Sequence, residues 1–115
     1  MQKDTKGKSV FIKSDKIGEG ELGSILIKGF LGAMLEQETL PTKIVCVNSA
    51  VLLTTVEENN PVLPILKELE QRGITILSCG TCLDYYDKRE DLKVGKPGNA
   101  IETIAMLLNE DVVSL

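Results

Sequence analysis

Apolar residues recur along the chain with two different spacings, and the alternation between them predicts a mixed α/β fold. Short aliphatic runs predict strands at residues 9–14, 43–47, 74–78, 91–94 and 111–115, with a turn at 96–98. Spacings of three and four predict helices at residues 21–37, 60–73 and 99–108, with a short helix or turn at 83–87. Alternation of this kind predicts a largely parallel, five-stranded sheet between helix layers, in one domain that spans residues 9–115.

Capping residues support the boundaries of two helices. Asn60 and Pro61 form a typical helix start, and Gly73 is placed to end the same helix. Asn99 with Glu102 three residues later predicts a capping box at the start of the last helix.

The helix predicted at residues 21–37 carries two apolar lines, so it is expected to be covered on two sides. One line consists of Leu22, Ile25, Leu26, Ala33 and Met34, and the other consists of Ile27, Leu31 and Leu35. Two interpretations stay open. One side forms a subunit interface, or both lines belong to one wide stripe that faces the core.

The composition excludes several classes of function. The net charge is −4 and no basic stripe is present, so neither nucleic acid nor an anionic membrane surface is expected as a partner. The chain has no histidine, which removes Ser-His-Asp and Cys-His catalysis together with every histidine-ligated metal site.

The chain has three cysteines, a small and odd number. This favours a protein of a reducing compartment over a disulfide-rich secreted protein. Residues 1–8 are charged and are interpreted as a disordered leader or the remnant of a linker, because no apolar run of signal-peptide length follows them. No stretch approaches the roughly 18 apolar residues of a membrane span. We therefore expect a soluble, cytoplasmic protein.

The segment Cys79-Gly80-Thr81-Cys82 is the strongest chemical signal in the chain. Its first cysteine ends a predicted strand, and its second enters a predicted helix. Amides at a helix N-terminus stabilise a thiolate, and ligands usually bind at the carboxyl ends of strands in an open α/β sheet. Gly80 allows a tight turn between the two sulfurs. Cys79 and Cys82 are therefore predicted as catalytic residues, with Gly80 and Thr81 as candidate binding residues.

Two other interpretations of these cysteines stay open. They can be incidental thiols packed in a loop, or half of a zinc site. Tetrahedral zinc requires four ligands, and the remaining cysteine, Cys46, lies in an apolar strand where a small buried hydrophobe is expected. No metal site is therefore predicted within the chain, although a site shared between subunits stays open.

Gly18, Gly20 and Gly23 match the pattern G-x-G-x-x-G between a predicted strand and a helix. Acidic side chains surround these glycines where a pyrophosphate would bind, so no dinucleotide cofactor is predicted. We expect Gly18 and Gly20 to form a loop at the rim of the cysteine site. Asn48 and Ser49, which end the second strand, are candidate binding residues at the same rim.

Residues 73–86, GITILSCGTCLDYY, and residues 92–95, LKVG, resemble the C-terminal domain of YedF-type selenium-metabolism proteins. That domain belongs to the DsrE/DsrF-like sulfur-relay superfamily, and residues 18–23 and 48–55 resemble it as well. The resemblance implies a three-layer α/β/α fold, homo-oligomers, and the handling of sulfur or selenium as a persulfide or its selenium analogue. It implies Cys79 as the sulfur-carrying residue and Cys82 as a second thiol.

YedF proteins usually carry an N-terminal TusA-like domain with a Cys-Pro-x-Pro motif, which this sequence lacks. The resemblance therefore implies a TusA-like sulfur-carrier domain or protein as a partner, and a chain that is either an excised domain or a stand-alone relative. We expect a sulfur or selenium carrier, sulfurtransferase-like if it is active. A dithiol–disulfide oxidoreductase and a non-catalytic oligomeric binding module are the alternatives.

Overall fold

The structure is a computed structural model that describes residues 7–115, so residues 1–6 of the predicted leader lie outside the described residues. The strands are β1 (Ser9–Ile12), β2 (Lys43–Cys46), β3 (Thr75–Cys79), β4 (Lys96–Gly98) and β5 (Val112–Ser114). The helices are α1 (Gly20–Met34), α2 (Val51–Thr54), α3 (Val62–Gln71), α4 (Gly80–Tyr85) and α5 (Ala100–Asn109). Single 3-10 turns occupy Asn48–Ala50 and Arg89–Asp91.

The five strands form one sheet in the order β4-β3-β2-β1-β5, and every neighbouring pair is parallel. In this register Ile44 of β2 lies beside Val10 of β1 and Ile76 of β3. The predicted α/β fold with a mostly parallel five-stranded sheet is confirmed, and the sheet is parallel throughout. Because all five strands run in the same direction, their carboxyl ends lie at the same edge of the sheet.

The two faces of the sheet are covered unequally. Side chains alternate between the faces along each strand, and Ile44 and Cys46 point into the main core with α1, α2 and α3. Val45 points to the opposite face, where it is buried together with Met106 of α5 and outside the main cluster. One helix therefore covers the second face, while four helices build the first, because α4 also contributes Leu83 to the main core.

The two apolar lines of α1 have different surroundings. Ile27 and Leu31 are fully buried in the main core. Leu22 and Ile25 are 65% and 58% exposed, and Phe30 is 47% exposed. The interpretation of both lines as one wide core-facing stripe is therefore wrong, and the outer face of α1 is apolar and uncovered in the single chain.

Helix α5 begins where the capping box predicts. The Asn99 side chain accepts a hydrogen bond from the Glu102 N–H at 2.9 Å, which satisfies one of the free amides of the first turn. The apolar residues that predict this helix face outward, since Ile101 and Leu108 are 84% and 78% exposed and Ile104 is half exposed. Periodicity identifies the helix correctly, but it does not identify the buried side.

The predicted strand at residues 91–94 is wrong, and so is the predicted turn at 96–98. Residues 89–91 form a 3-10 turn, and Lys96–Gly98 is the edge strand β4, paired only with β3. An edge position tolerates Pro97, which has no N–H to donate to a ladder. Gly95 directs the chain into this strand with a φ of +75°, at a point where a Cβ would collide with the Ile76 carbonyl oxygen.

The remaining boundaries agree with the pattern to within a few residues, with one omission. The stretch after β2, for which the spacing of apolar residues predicts no element, contains the short helix α2. None of the helices in residues 7–115 combines the length and the apolar content needed to cross a membrane.

Candidate functional site

Loops from three neighbouring strands meet at the carboxyl edge of the sheet. The loop after β1 contacts the turn after β2 through the Asp15 N–H, which donates to the Ser49 hydroxyl at 3.2 Å. The turn after β2 contacts the segment after β3 through the Asn48 N–H, which donates to Cys82 Sγ at 3.1 Å. Two cross-loop hydrogen bonds therefore connect the three segments that surround the cysteine pair.

Cys79 is the last residue of β3, and α4 begins at the following residue, Gly80. Gly80 is buried, and a Cβ at this position would lie 2.9 Å from Arg89 Nη2 and 3.3 Å from the Gly98 carbonyl oxygen. The close approach of two other segments therefore favours glycine between the cysteines. No separate turn lies between the cysteines, because β3 ends at Cys79 and α4 begins at Gly80.

The two thiols of the pair are free, half-buried and hydrogen-bonded to each other. Burial raises the pKa of the Cys82 thiol, and the hydrogen bond with Cys79 raises this pKa further. The Asn48 N–H lowers the pKa of Cys82, while negative charge on Cys79 raises it.

Cys46 differs from Cys79 and Cys82 in its burial. It is 1% exposed in the main core, and burial raises its pKa to about 12. A thiol in this environment is protonated at neutral pH and unreactive. Cys46 is a small buried hydrophobe, as predicted.

A cleft of about 590 Å³ opens beside the pair. It is lined by Val47, Asn48, Thr81, Cys82, Tyr85 and Tyr86. The two tyrosine rings meet edge to face, with centroids 5.2 Å apart. Within the described chain, the lining of this cleft contains no Asp, Glu, Lys or Arg side chain. A group that enters the cleft therefore meets an aromatic, uncharged wall and the sulfur of Cys82.

No protein-family model matches the chain, and no curated protein sequence matches it. Two solved structures are similar. The YchN protein from E. coli is 19% identical with a TM-score of 0.69, over 95% of this chain and 99% of that chain. A conserved protein of unknown function, BT1422 from Bacteroides thetaiotaomicron, is 16% identical with a TM-score of 0.62, over 94% and 95%. The chain has a DsrE/F-like fold. At these identities the likeness shows the fold alone.

Two contacts around the site were not predicted. The Arg89 guanidinium donates to both carboxylate oxygens of Asp84, at 2.8 and 3.1 Å, and to the Gly80 carbonyl oxygen at 3.1 Å. Arg89 thereby spans α4 and lowers the pKa of Asp84. Neither residue shows a periodicity or motif that would have revealed this contact from the sequence.

The second contact is a pair of buried hydroxyls behind Cys79. Thr54 Oγ1 lies 2.7 Å from Ser78 Oγ and also donates to the Val51 carbonyl oxygen at 3.0 Å. Since the single Thr54 proton points at that carbonyl, Ser78 is the donor between the hydroxyls. This chain of hydrogen bonds fastens α2 to the strand residue that precedes Cys79.

The predicted binding residues divide into two groups. Asn48 and Thr81 line the cleft, and Gly80 and Ser49 lie directly beside lining residues. Gly18 and Gly20 are exposed, have left-handed φ values of +79° and +70°, and do not line the cleft. Within residues 7–115, no three His, Cys, Asp or Glu side chains come together as a metal-binding group.

Proposed function

We propose that this protein is a carrier of sulfane sulfur, or of its selenium analogue, that holds the atom as a persulfide on Cys79. The observation that carries the proposal is the pair of free, half-buried, mutually hydrogen-bonded thiols at the end of β3 in a DsrE/F-like fold. The thiolate is the nucleophilic form of a cysteine. Burial raises the pKa of the Cys82 thiol, and the resemblance to YedF-type proteins assigns the carried atom to Cys79.

The chemistry takes two balanced steps. The Cys79 thiolate attacks the outer sulfur of a persulfide donor, R–S–SH, so that a new S–S bond forms and R–S⁻ leaves with the electron pair. An acceptor thiolate then removes the outer sulfur, or Cys82 attacks Cys79 Sγ. In the second case a Cys79–Cys82 disulfide forms, HS⁻ leaves, and an external dithiol must reduce the disulfide before the next cycle. On this reading the protein is sulfurtransferase-like.

The cleft suits a thiol that is presented on a protein segment. Its tyrosines offer apolar area and hydroxyl groups without a fixed charge, which fits an extended peptide better than a small anionic thiol. We therefore place a TusA-like sulfur-carrier domain or protein among the partners, in the cytoplasm. The resemblance of residues 73–86 to YedF-type proteins supports selenium as an alternative cargo.

Two outward-facing apolar surfaces support a homo-oligomer. One lies on α1 around Leu22 and Ile25, and the other lies on α5 around Ile101 and Leu108. Patches of exposed large aliphatic side chains typically mark protein interfaces. Sedimentation of Ile101→Glu should show a smaller species than wild type, whereas Asn109→Asp, on the same helix, should not change the assembly. A monomeric wild type at micromolar concentration contradicts this part of the proposal.

Intact-mass spectrometry after incubation with inorganic polysulfide tests the carrier function. Wild type and Cys46→Ala should each gain sulfur, and dithiothreitol should remove it. Cys79→Ser should gain less sulfur than wild type, and any gain should map to Cys82. No added sulfur on wild type, or the same gain in Cys79→Ser, overturns the proposal.

One alternative outcome has its own signature. A dithiol–disulfide oxidoreductase would form the Cys79–Cys82 disulfide and reduce a disulfide substrate, without binding sulfur. The hydrogen-bonded thiols also fit this activity, and insulin reduction distinguishes it from sulfur transfer. If neither activity is found, and if substitution of Cys79 and of Cys82 by serine leaves the cellular role intact, a non-catalytic binding module is favoured.

A further inference from the structure

Asn48 has a backbone conformation that L-residues rarely adopt. Its φ is +54°, and within residues 7–115 the only other non-glycine residue with a positive φ is Asp87 at +56°. The left-handed region costs an L-residue about 1–2 kcal/mol, and asparagine is among the residues that tolerate it best. Strain of this size persists only where surrounding contacts hold it, and it clusters at functional sites.

The left-handed φ of Asn48 lets the chain turn away from β2 immediately after the N–H that donates to Cys82 Sγ. Val47 is extended at φ −129°, and the 3-10 turn begins at the very next residue, so the chain reverses within a single peptide unit. The N–H is thereby directed across the cleft edge onto Cys82 Sγ, at 3.1 Å. With an extended φ at residue 48, the chain would continue in the direction of β2, and the contact of Asn48 with Cys82 could not be kept together with that of Ser49 with Asp15.

The rest of the turn is fixed at both ends. Ser49, the next residue, accepts from the Asp15 N–H at 3.2 Å. Farther along, the hydroxyl pair of Thr54 and Ser78 ties α2 to β3 at 2.7 Å. The Asn48 amide therefore cannot follow Cys82 if the sulfur moves, and the hydrogen bond selects one position for the sulfur.

We propose that the left-handed backbone of Asn48 is a positioning device of the dithiol site, and that its N–H makes Cys82 the sulfur that attacks Cys79 when the carried atom is released. The inference rests on the proposed function and adds a role for the turn after β2. In that step the Cys82 thiolate forms a bond to Cys79 Sγ, the bond from Cys79 Sγ to the outer sulfur breaks, and HS⁻ takes the electron pair. An N–H donor stabilises the attacking thiolate before the step.

The titratable groups that face Cys82 are few. Cys79 adjoins it, and Tyr85 and Tyr86 share the cleft lining. On the flanking segments, Asp84 is paired with Arg89 and Asp15 with Lys16, while Asp87 follows the cleft-lining Tyr86. A change in the ionisation of Cys82 after substitution at residue 48 therefore reports on the amide contact, provided that Cys79 is absent from the protein measured.

The test measures iodoacetamide modification of Cys82 as a function of pH in the Cys79→Ser protein. Asn48→Gly keeps the left-handed conformation and should retain the midpoint. Asn48→Val, which is β-branched, abandons that conformation, and the midpoint should rise by about one pH unit, a roughly tenfold loss of reactivity at neutral pH. Asp87→Val imposes the same backbone strain at a residue that does not line the cleft, and it should leave the midpoint unchanged. Equal midpoints in Asn48→Val and Asn48→Gly overturn the proposal.

A second measurement needs no change at residue 48. In the Cys79→Ser protein, the Asn48 amide proton should shift in a ¹H–¹⁵N spectrum with the same midpoint as Cys82 modification. An Asn48 resonance that is constant across this titration overturns the proposal even if Asn48→Val does not fold. Neither readout involves sulfur transfer. A carrier function that fails with the amide contact intact is therefore distinguishable from a failure of the contact itself.

Discussion

The direction of one buried hydrogen bond predicts which of two neighbouring substitutions is the more damaging. Ser78 donates to Thr54, and Thr54 donates to the Val51 carbonyl oxygen. Both hydroxyls are fully buried. Ser78→Ala removes a donor and leaves Thr54 with its own donation intact. Thr54→Val removes the acceptor and leaves the Ser78 hydroxyl in the core without a partner.

The magnitudes follow from this asymmetry. Loss of an ordinary hydrogen bond costs about 1 kcal/mol, so Ser78→Ala should lower the free energy of unfolding by about that amount. A buried, unsatisfied donor costs about 1–3 kcal/mol, so Thr54→Val should cost about 2 kcal/mol. In the double variant both polar groups are gone. It should therefore cost less than the two single variants together, by about 1 kcal/mol or more.

Urea unfolding, followed by circular dichroism, measures all four proteins of this cycle. Thr55→Val is the matched control, because Thr55 is also buried and donates to the same Val51 carbonyl oxygen at 3.0 Å. Thr55→Val should be additive with Ser78→Ala, since no contact joins the two residues. If Thr54→Val is no more damaging than Ser78→Ala, and if their costs are additive, the assigned hydrogen-bond direction is refuted.

Two further predictions concern parts of the fold that are distant from the cysteines. Gly73→Ala and Gly95→Ala both force alanine into a left-handed conformation, but of the two only Gly95 lacks room for a Cβ. Gly95→Ala should therefore lower the urea midpoint much more than Gly73→Ala. Equal losses in the two variants contradict this account. Glu110 accepts from Ser9 at 2.5 Å and from Lys43 at 3.1 Å, and these contacts hold the pKa of its carboxyl below the ordinary 4.5. Ionised Glu110 therefore stabilises the fold above pH 4.5, and this contribution is lost as the pH falls through the lower folded value. In Glu110→Gln, the free energy of unfolding should fall less steeply below pH 4.5 than in wild type. The same decrease in both proteins contradicts the role given to Glu110.

Elements with strong local signals were predictable from the sequence. Strand β2 is buried on both faces and reads as a continuous apolar run, and α3 has both Asn60 before it and Gly73 after it. Strand β4 was not predictable, because Lys96-Pro97-Gly98 has no strand propensity and pairs only through its edge position.

The cysteine segment was located from local spacing, but its surroundings were not. The Asn48 N–H reaches Cys82 across 34 residues, and the hydroxyls of Thr54 and Ser78 are 24 residues apart. Contacts at such separations are created by strand order and register, which a single sequence pattern does not determine. The exposure of the apolar residues of α5 was not predictable either. Periodicity shows that a helix is amphipathic, but it does not show what covers the apolar face.

The carrier claim is tested most directly by the Cys82→Ser protein, in which no second thiol of the pair remains to displace the sulfur from Cys79. After exposure to polysulfide and removal of excess reagent, site-resolved mass spectrometry should find one additional sulfur atom on Cys79, retained longer than in wild type and lost on reduction. A Cys82→Ser protein that stays unmodified at Cys79, or that carries the added sulfur on Cys46, would contradict the account.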